Sequence, residues 1–330
     1  MIHSKLIGQS SLLDRLNGII SGGRIAHAYL LKGPKGIGKT TIGKKFAKMI
    51  LCSSKAKRPC NICQSCIQFD TANHPDYKYV GPVGQSIRID QIRELRQDIA
   101  IKPYQGRYKI YLIDDSHIMT QQAQNALLKT LEEPPSFVVI ILCTDNIHAL
   151  LPTITSRCQS IPIRHLASRY IVEILKKRNI DEDKARVYAQ ISAGIAGRAI
   201  DISMDEEFKT LREKTLDYIG DLFSKPDVQI LKDIDLFISN RENIWTIMEL
   251  LALFMRDVLV YSETLDNHLI INTDKLSEIY RYSEEISREQ IKGAIESIKA
   301  AQRMLKSNAN FQLTIENMLL SISGGVKLCI

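Results

Sequence analysis

The chain has 330 residues, 45% hydrophobic and 25% charged, a balance that excludes disorder and gives room for two or three domains. Its longest apolar runs, such as residues 137–142 and 250–254, fall far short of the roughly 20 residues that cross a bilayer, so no membrane span is expected. The net charge of +7 suits contact with a polyanion, although interspersed acids and bases fit a plain solvated surface equally well.

The opening Met1-Ile2-His3-Ser4-Lys5 leads straight into a polar helical pattern, without the basic, apolar and small-residue regions of a secretory leader. A cytoplasmic chain is therefore expected. Residues 28–31 then read as a buried strand. Behind that strand stands Gly33-Pro34-Lys35-Gly36-Ile37-Gly38-Lys39-Thr40, with Thr41 next and a helical pattern after it. A strand before and a helix behind are the setting that a phosphate-binding loop requires. The glycines let the backbone curl until several N–H groups face the phosphates, and the helix N-terminus adds positive potential. Lys39 suits the beta and gamma phosphates and the Thr40 hydroxyl suits magnesium, so ATP with Mg2+ is the expected ligand of residues 33–41. A chance glycine-rich turn is the alternative, against which the intact spacing weighs.

Four of the seven cysteines, Cys52, Cys60, Cys63 and Cys66, follow within one short stretch. Thiols stay reduced in the cytoplasm, so a metal site is a better reading than a disulfide framework. Four thiolates close a tetrahedron around Zn2+, and no nearby His or open position suggests catalysis, so the site is expected to be structural. Cys143, Cys158 and Cys329 are isolated, which core or tail positions explain.

Further strands are expected at residues 77–80, 108–113, 138–143 and 160–163, with helices between them. Asp90 is the expected N-cap of one helix, burying Ile92, Leu95 and Ile99. Thr120 is the N-cap of another, which buries Ala123, Ala126, Leu127 and Leu131 and stops at Pro134-Pro135. This alternation predicts an α/β domain with a parallel sheet covered by helices. Asp114-Asp115, at the end of a buried strand, offer a pair of acids: Asp114 for the magnesium shell and Asp115 for orienting water. After about Arg164 the strand signals fade, and Ile171, Ile174 and Leu175 or Leu250, Leu251, Phe254 and Val258 recur at helical spacing. A break near residues 203–207 divides this all-α half into a smaller and a larger bundle.

The phosphate loop, the cysteine cluster, His74-Pro75-Asp76, residues 89–103, the run Asn125-Ala126-Leu127-Leu128-Lys129-Thr130-Leu131-Glu132-Glu133-Pro134-Pro135 and Ser156-Arg157-Cys158 together resemble the AAA+ clamp-loader family. The cysteines point to its bacterial branch, the subunits of DNA polymerase III, rather than to replication factor C. Arg256-Asp257 and Asn308-Ala309-Asn310 look like the collar region of delta-prime subunits. The resemblance spans nearly the whole chain. It implies a RecA-like AAA+ domain over residues 1–165 with the zinc module at about 52–66, a helical lid over 166–205 and a helical collar for oligomerisation over 206–330.

The family's roles fall on matching residues. Thr144 resembles the sensor 1 residue that detects the gamma phosphate, and Arg198 of Gly194-Ile195-Ala196-Gly197-Arg198 resembles the sensor 2 arginine. Arg157 resembles the arginine finger that such subunits extend in trans into a neighbour's ATP site. The implied partners are gamma/tau and delta subunits, the sliding clamp (beta) and primer-template DNA reached through the assembled complex. Two departures bear on turnover. Hydrolysing subunits carry Asp-Glu where this chain has Asp114-Asp115, one methylene shorter, whereas many delta-prime subunits lack the phosphate loop that is complete here. A delta-prime-like stator is therefore expected, favoured by the chain's length, with a gamma/tau-type ATPase motor as the alternative. A free-standing metal-dependent nucleic-acid-binding protein would leave the phosphate loop unexplained.

Overall fold

The computed structural model describes residues 7–54, 56–224 and 234–323. In chain order come α1 (Ser10–Ser21), β1 (Ala28–Lys32), α2 (Lys39–Leu51), α3 (Gln64–Asp70), β2 (Tyr77–Val80), α4 (Ile89–Ile99), β3 (Lys109–Ile113), α5 (Gln121–Glu132), β4 (Val138–Thr144), α6 (Pro152–Thr155) and β5 (Gln159–Pro162). The strands pair in parallel in the order β2-β3-β4-β1-β5. Parallel neighbours need crossover connections, and a helix lies in each of them. The carboxyl ends of β3, β4 and β1 thus lie side by side, which brings Asp114, Thr144 and Gly33 to one edge of the sheet.

Alternation along each strand splits the core between the two faces. Tyr29 and Leu31 pack with Ile42 and Phe46 of α2 on one side, while Leu30, Tyr111 and Leu142 pack with Leu95, Leu127 and Ile154 on the other. Phe46 meets the Tyr29 ring edge-on at 4.9 Å, a contact that seats α2 on the sheet.

The expected strands all form, with ends that move by about one residue. The third begins at Lys109 rather than at Tyr108, and the last runs Gln159–Pro162 rather than 160–163. Thr120 caps α5 as expected, its side chain accepting the Ala123 N–H. Asp90, by contrast, is not the cap of α4. The N-cap is Arg88, whose N–H is met by the Gln91 side chain at 3.0 Å, and Asp90 lies inside the first turn, where a carboxylate still suits the helix dipole.

Two compact units divide the chain: Met1–Tyr170 with Gly194–Arg198, and Ile171–Ala193 with Ala199–Ile330. Beyond β5 the described residues are helical, as the spacing predicted. Asp205 separates helices Ala196–Met204 and Glu206–Ser224, and its carboxylate accepts the N–H groups of Glu207 and Phe208. The second unit is built around the long helix Ile244–Thr264, whose Leu251, Phe254 and Val258 lie in its core, with Leu250 buried beside them. Arg256-Asp257 is structural here. Asp257 is fully buried and accepts the N–H groups of Ile271 and Asn272, while Arg256 bonds both it and the Leu269 carbonyl. Asn308 and Asn310 shape the turn between helices Arg288–Lys306 and Phe311–Ser323: Asn308 has φ +58° and the Asn310 side chain accepts the Leu313 N–H. No helix among the described residues is long and apolar enough to cross a membrane. Cys329 and the opening Met1-Ile2-His3-Ser4-Lys5 lie outside the described residues.

Candidate functional site

The glycine-rich loop of residues 33–38 leaves β1 and leads into α2. The Gly33 N–H donates to the carbonyl of Thr144 at 3.2 Å, so the loop starts beside the end of β4. Pro34, Lys35, Gly36 and Ile37 form the turn, and Gly38 stands as the N-cap of α2 with φ +100°, a conformation that glycine adopts without strain. A side chain built at Gly38 would point into open space, room that backbone N–H groups can offer to a ligand. Lys39 is buried, and its Nζ donates to the carbonyls of Gly33 and Pro34 at 3.0 and 3.1 Å, closing the loop on itself. Thr41 follows in the first turn of α2.

Thr40 and Asp114 meet across 74 residues of sequence, with the threonine hydroxyl 2.9 and 2.8 Å from the two carboxylate oxygens. A hydroxyl and a carboxylate converging at the start of a phosphate loop are donors suited to magnesium. Tyr79, at the end of β2, donates its hydroxyl to the same carboxylate at 3.1 Å, and Lys44 of α2 sits 5.0 Å from its ring. Burial, and then the Asp114 charge, push the Tyr79 hydroxyl up to about 12. Asp115 turns away through a left-handed backbone, φ +43°, and its carboxylate gathers with His117 and Asp145, the three ligand atoms lying within 4.8 Å of one another. His117 Nε2 is 3.0 Å from Asp145, which ties the turn after β3 to the turn after β4.

Thr144 is fully buried at the end of β4. Its hydroxyl donates to the Asn146 carbonyl and accepts the Asn146 N–H, so it shapes the local turn beside the phosphate loop. Arg198 belongs to the segment that packs on that loop. The Gly197 N–H donates to the Gly36 carbonyl at 2.8 Å, and a Cβ at Gly197 would stand 2.7 Å from that same oxygen, so only glycine allows the approach. Arg157 stands apart from these groups. It follows α6, is half-buried, and bonds Glu132 of α5 at 3.0 Å and the Thr153 carbonyl at 3.0 Å.

The four cysteines of the cluster come together in space. The sulfurs of Cys52, Cys60, Cys63 and Cys66 all lie within 4.8 Å of one another, and those of Cys60 and Cys66 are 4.0 Å apart. Four sulfurs at about 2.3 Å from one zinc ion would stand about 3.8 Å apart, so the set fits a tetrahedral ion. Three backbone N–H groups already face it: Cys60 N–H to Cys52 Sγ, Cys63 N–H to Cys60 Sγ and Cys66 N–H to Cys63 Sγ, at 3.3–3.4 Å. Burial works against a Cys63 thiolate, but hydrogen bonds from Ser53 and from the Cys66 N–H outweigh it and bring that thiol down to about 6. Cys143 lies in the sheet core, and burial pushes the Cys158 thiol up to about 12, away from reactivity.

Tyr79, the His117–Asp145 pair and Lys48 are polar features that sequence reasoning did not single out. Tyr79 gives no signal beyond strand alternation, the His117–Asp145 pair becomes visible only when two distant turns meet, and Lys48 of α2 finds its partner Asp70 only when α3 packs beside it.

The family model described as DNA polymerase III, delta subunit, matches residues 8–167, and that described as DNA polymerase III, delta subunit, C terminal, matches residues 206–324. The chain belongs to the DNA polymerase III delta-subunit family. Within it, the chain is 29% identical to DNA polymerase III subunit delta' of Bacillus subtilis over 320 residues, 96% of this chain and 97% of that protein. It is also 33% identical over 205 residues to DNA polymerase III subunit gamma of Buchnera aphidicola subsp. Schizaphis graminum, covering 60% of this chain and 56% of that protein. Among solved structures it is similar to a gamma-subunit-related protein of Thermotoga maritima, with TM-score 0.39 and 20% identity over 94% of this chain and 98% of the other. Kinship with delta' and gamma gives the chain a clamp-loader role in DNA replication, on a five-stranded parallel α/β domain followed by helices.

Proposed function

We propose that the chain is a delta-prime-like stator of the clamp loader, which binds ATP with Mg2+ in its own phosphate loop and lends Arg157 to a neighbouring gamma/tau subunit. The observation that carries this reading is the convergence of Lys39, Thr40 and Asp114 at the sheet edge. Gly33, Pro34, Lys35, Gly36, Ile37 and Gly38 would present backbone N–H groups to the phosphates. Lys39 would exchange its two carbonyl partners for phosphate oxygens, and Thr40 with Asp114 would hold the magnesium shell. Arg198 is kept beside the loop by the Gly36–Gly197 contact, which suits a sensor of the bound nucleotide. Thr144 would report on the gamma phosphate by exchanging its local partners.

Asp115 fits the stator better than a motor. Its backbone is turned through φ +43° toward His117 and Asp145, and its side chain is one methylene shorter than the glutamate of hydrolysing relatives. The complete phosphate loop is what favours the second reading, a gamma/tau-type motor. Arg157, half-buried and held by Glu132, would exchange that carboxylate for a neighbour's nucleotide. Cys52, Cys60, Cys63 and Cys66 would hold a structural Zn2+, and the three facing N–H groups would stabilise the thiolates. The proposed divisions are the AAA+ domain over residues 1–165, lid over 166–205 and collar over 206–330. The proposed setting is a cytoplasmic complex with gamma/tau and delta subunits, the beta clamp and primer-template DNA.

Nucleotide binding tests the loop directly. The purified chain is expected to bind a fluorescent ATP analogue, and Lys39→Ala is expected to weaken binding by about 10- to 100-fold, the worth of hydrogen bonds from a charged donor. Equal binding by the variant rejects the site.

A further inference from the structure

The two candidate sites occupy opposite ends of one helix. α2 begins at Lys39 in the phosphate loop and ends at Leu51, with Cys52 of the thiol cluster as its C-cap. Thirteen residues at a rise of about 1.5 Å make a stiff rod of about 20 Å between them.

The far end of this rod is fastened to the cysteine module by side chains that neither site uses. Lys48, only 2% exposed, donates to the Asn61 side chain at 2.7 Å and to both oxygens of Asp70 at 2.7 Å. Asn61 lies inside the Cys60–Cys63 knuckle in a left-handed conformation, φ +64°, and Asp70 closes α3. Beside them the Ser65 hydroxyl donates to the Leu51 carbonyl at 2.8 Å and is itself 2.9 Å from His74 Nε2. A buried ammonium is costly to leave unpaired, so any shift of the knuckle moves Lys48 and the helix that bears it. The first turn of that helix is where the phosphate loop presents its N–H groups.

We propose that Lys48 is a positioning residue that couples the thiol cluster to the phosphate loop, so that a metal ion held by the cysteines and a nucleotide held by the loop strengthen each other's binding. This rests on the reading of both sites given above. Linkage makes the effect reciprocal: the factor by which metal tightens nucleotide equals the factor by which nucleotide tightens metal.

The full chain is used for the test. Its affinity for Zn2+ is measured by competition with a chromophoric chelator, with and without ATP, and its affinity for a fluorescent ATP analogue is measured with and without Zn2+. Both ratios are expected to agree at about fivefold or more, and the ligand-field bands of the Co2+-substituted chain are expected to shift when ATP is added. In Lys48→Met both ligands should still bind, with ratios near one. Asn61→Gly, which keeps the left-handed backbone and removes the acceptor, should lower the ratios in the same direction and serves if Lys48→Met does not fold. A purely structural role for Lys48 would lower stability and leave the ratios unchanged, which overturns the proposal. Binding of both ligands to the parent chain with ratios near one overturns the linkage alone, whereas no nucleotide binding in any form overturns the phosphate-loop reading along with it.

Discussion

In the proposed nucleotide site, Lys39, Thr40 and Asp114 would be prepared before the ligand arrives. Each is already engaged: the ammonium with two loop carbonyls and the hydroxyl with the carboxylate. Ligand binding therefore exchanges partners instead of ordering loose groups, which limits its entropic cost. The site could be proposed from the sequence because a phosphate loop is a local pattern with fixed spacing. The cysteines were legible for the same reason, and they lead to a direct prediction. Metal analysis of the purified chain should find about one zinc per molecule, and Cys63→Ser should lose most of it. A folded chain free of metal would reject the site. Tyr79 and the His117–Asp145 pair were not legible, since each depends on a neighbour supplied by another strand end.

Among the elements, the strands and their order of appearance followed from runs of Val, Ile, Leu and Tyr, while their ends moved by a residue or so. Strand ends are set by pairing with a neighbour, information that the run itself lacks. Asp90 shows the same limit in a helix: the sequence offers an attractive cap, but Gln91 reaching back to the Arg88 N–H starts α4 two residues earlier. The other end of α4 is fixed by Asp98, which accepts from the Tyr111 hydroxyl at 2.8 Å and pairs with the buried Lys109 at 3.0 Å. Burial raises the Asp98 carboxyl, but hydrogen bonds from Tyr111 and Lys109 outweigh it and hold it below its ordinary value. A lowered folded-state value stabilises the fold above the unfolded-state value of about 4 and loses that contribution as the pH falls through the folded one. Asp98→Asn should therefore lower the urea midpoint at neutral pH and flatten its decline below about pH 4. An acid limb as steep as the parent's would contradict this pairing.

Across the whole molecule, the parallel sheet and the change to helices beyond β5 were legible from a change in hydrophobic period. The segment Gly194–Arg198, which includes the first turn of helix Ala196–Met204, belongs with the sheet unit although the rest of that helix belongs to the other, a grouping that no sequence period announces. The family resemblance supplied what local chemistry could not: a half-buried Arg157 bonded to Glu132 is, by itself, an ordinary ion pair near the surface. Its proposed work lies in an assembly, so it must be tested there. ATP turnover is to be measured for the chain alone, and for its complex with delta and gamma/tau subunits carrying either the parent chain or Arg157→Ala. Near silence of the chain alone is expected, with an active parent complex and a variant complex that assembles, keeps the chain's own nucleotide affinity and turns over at least about twofold more slowly, as loss of one trans arginine among several sites requires. An assembled Arg157→Ala complex with undiminished turnover would contradict the account.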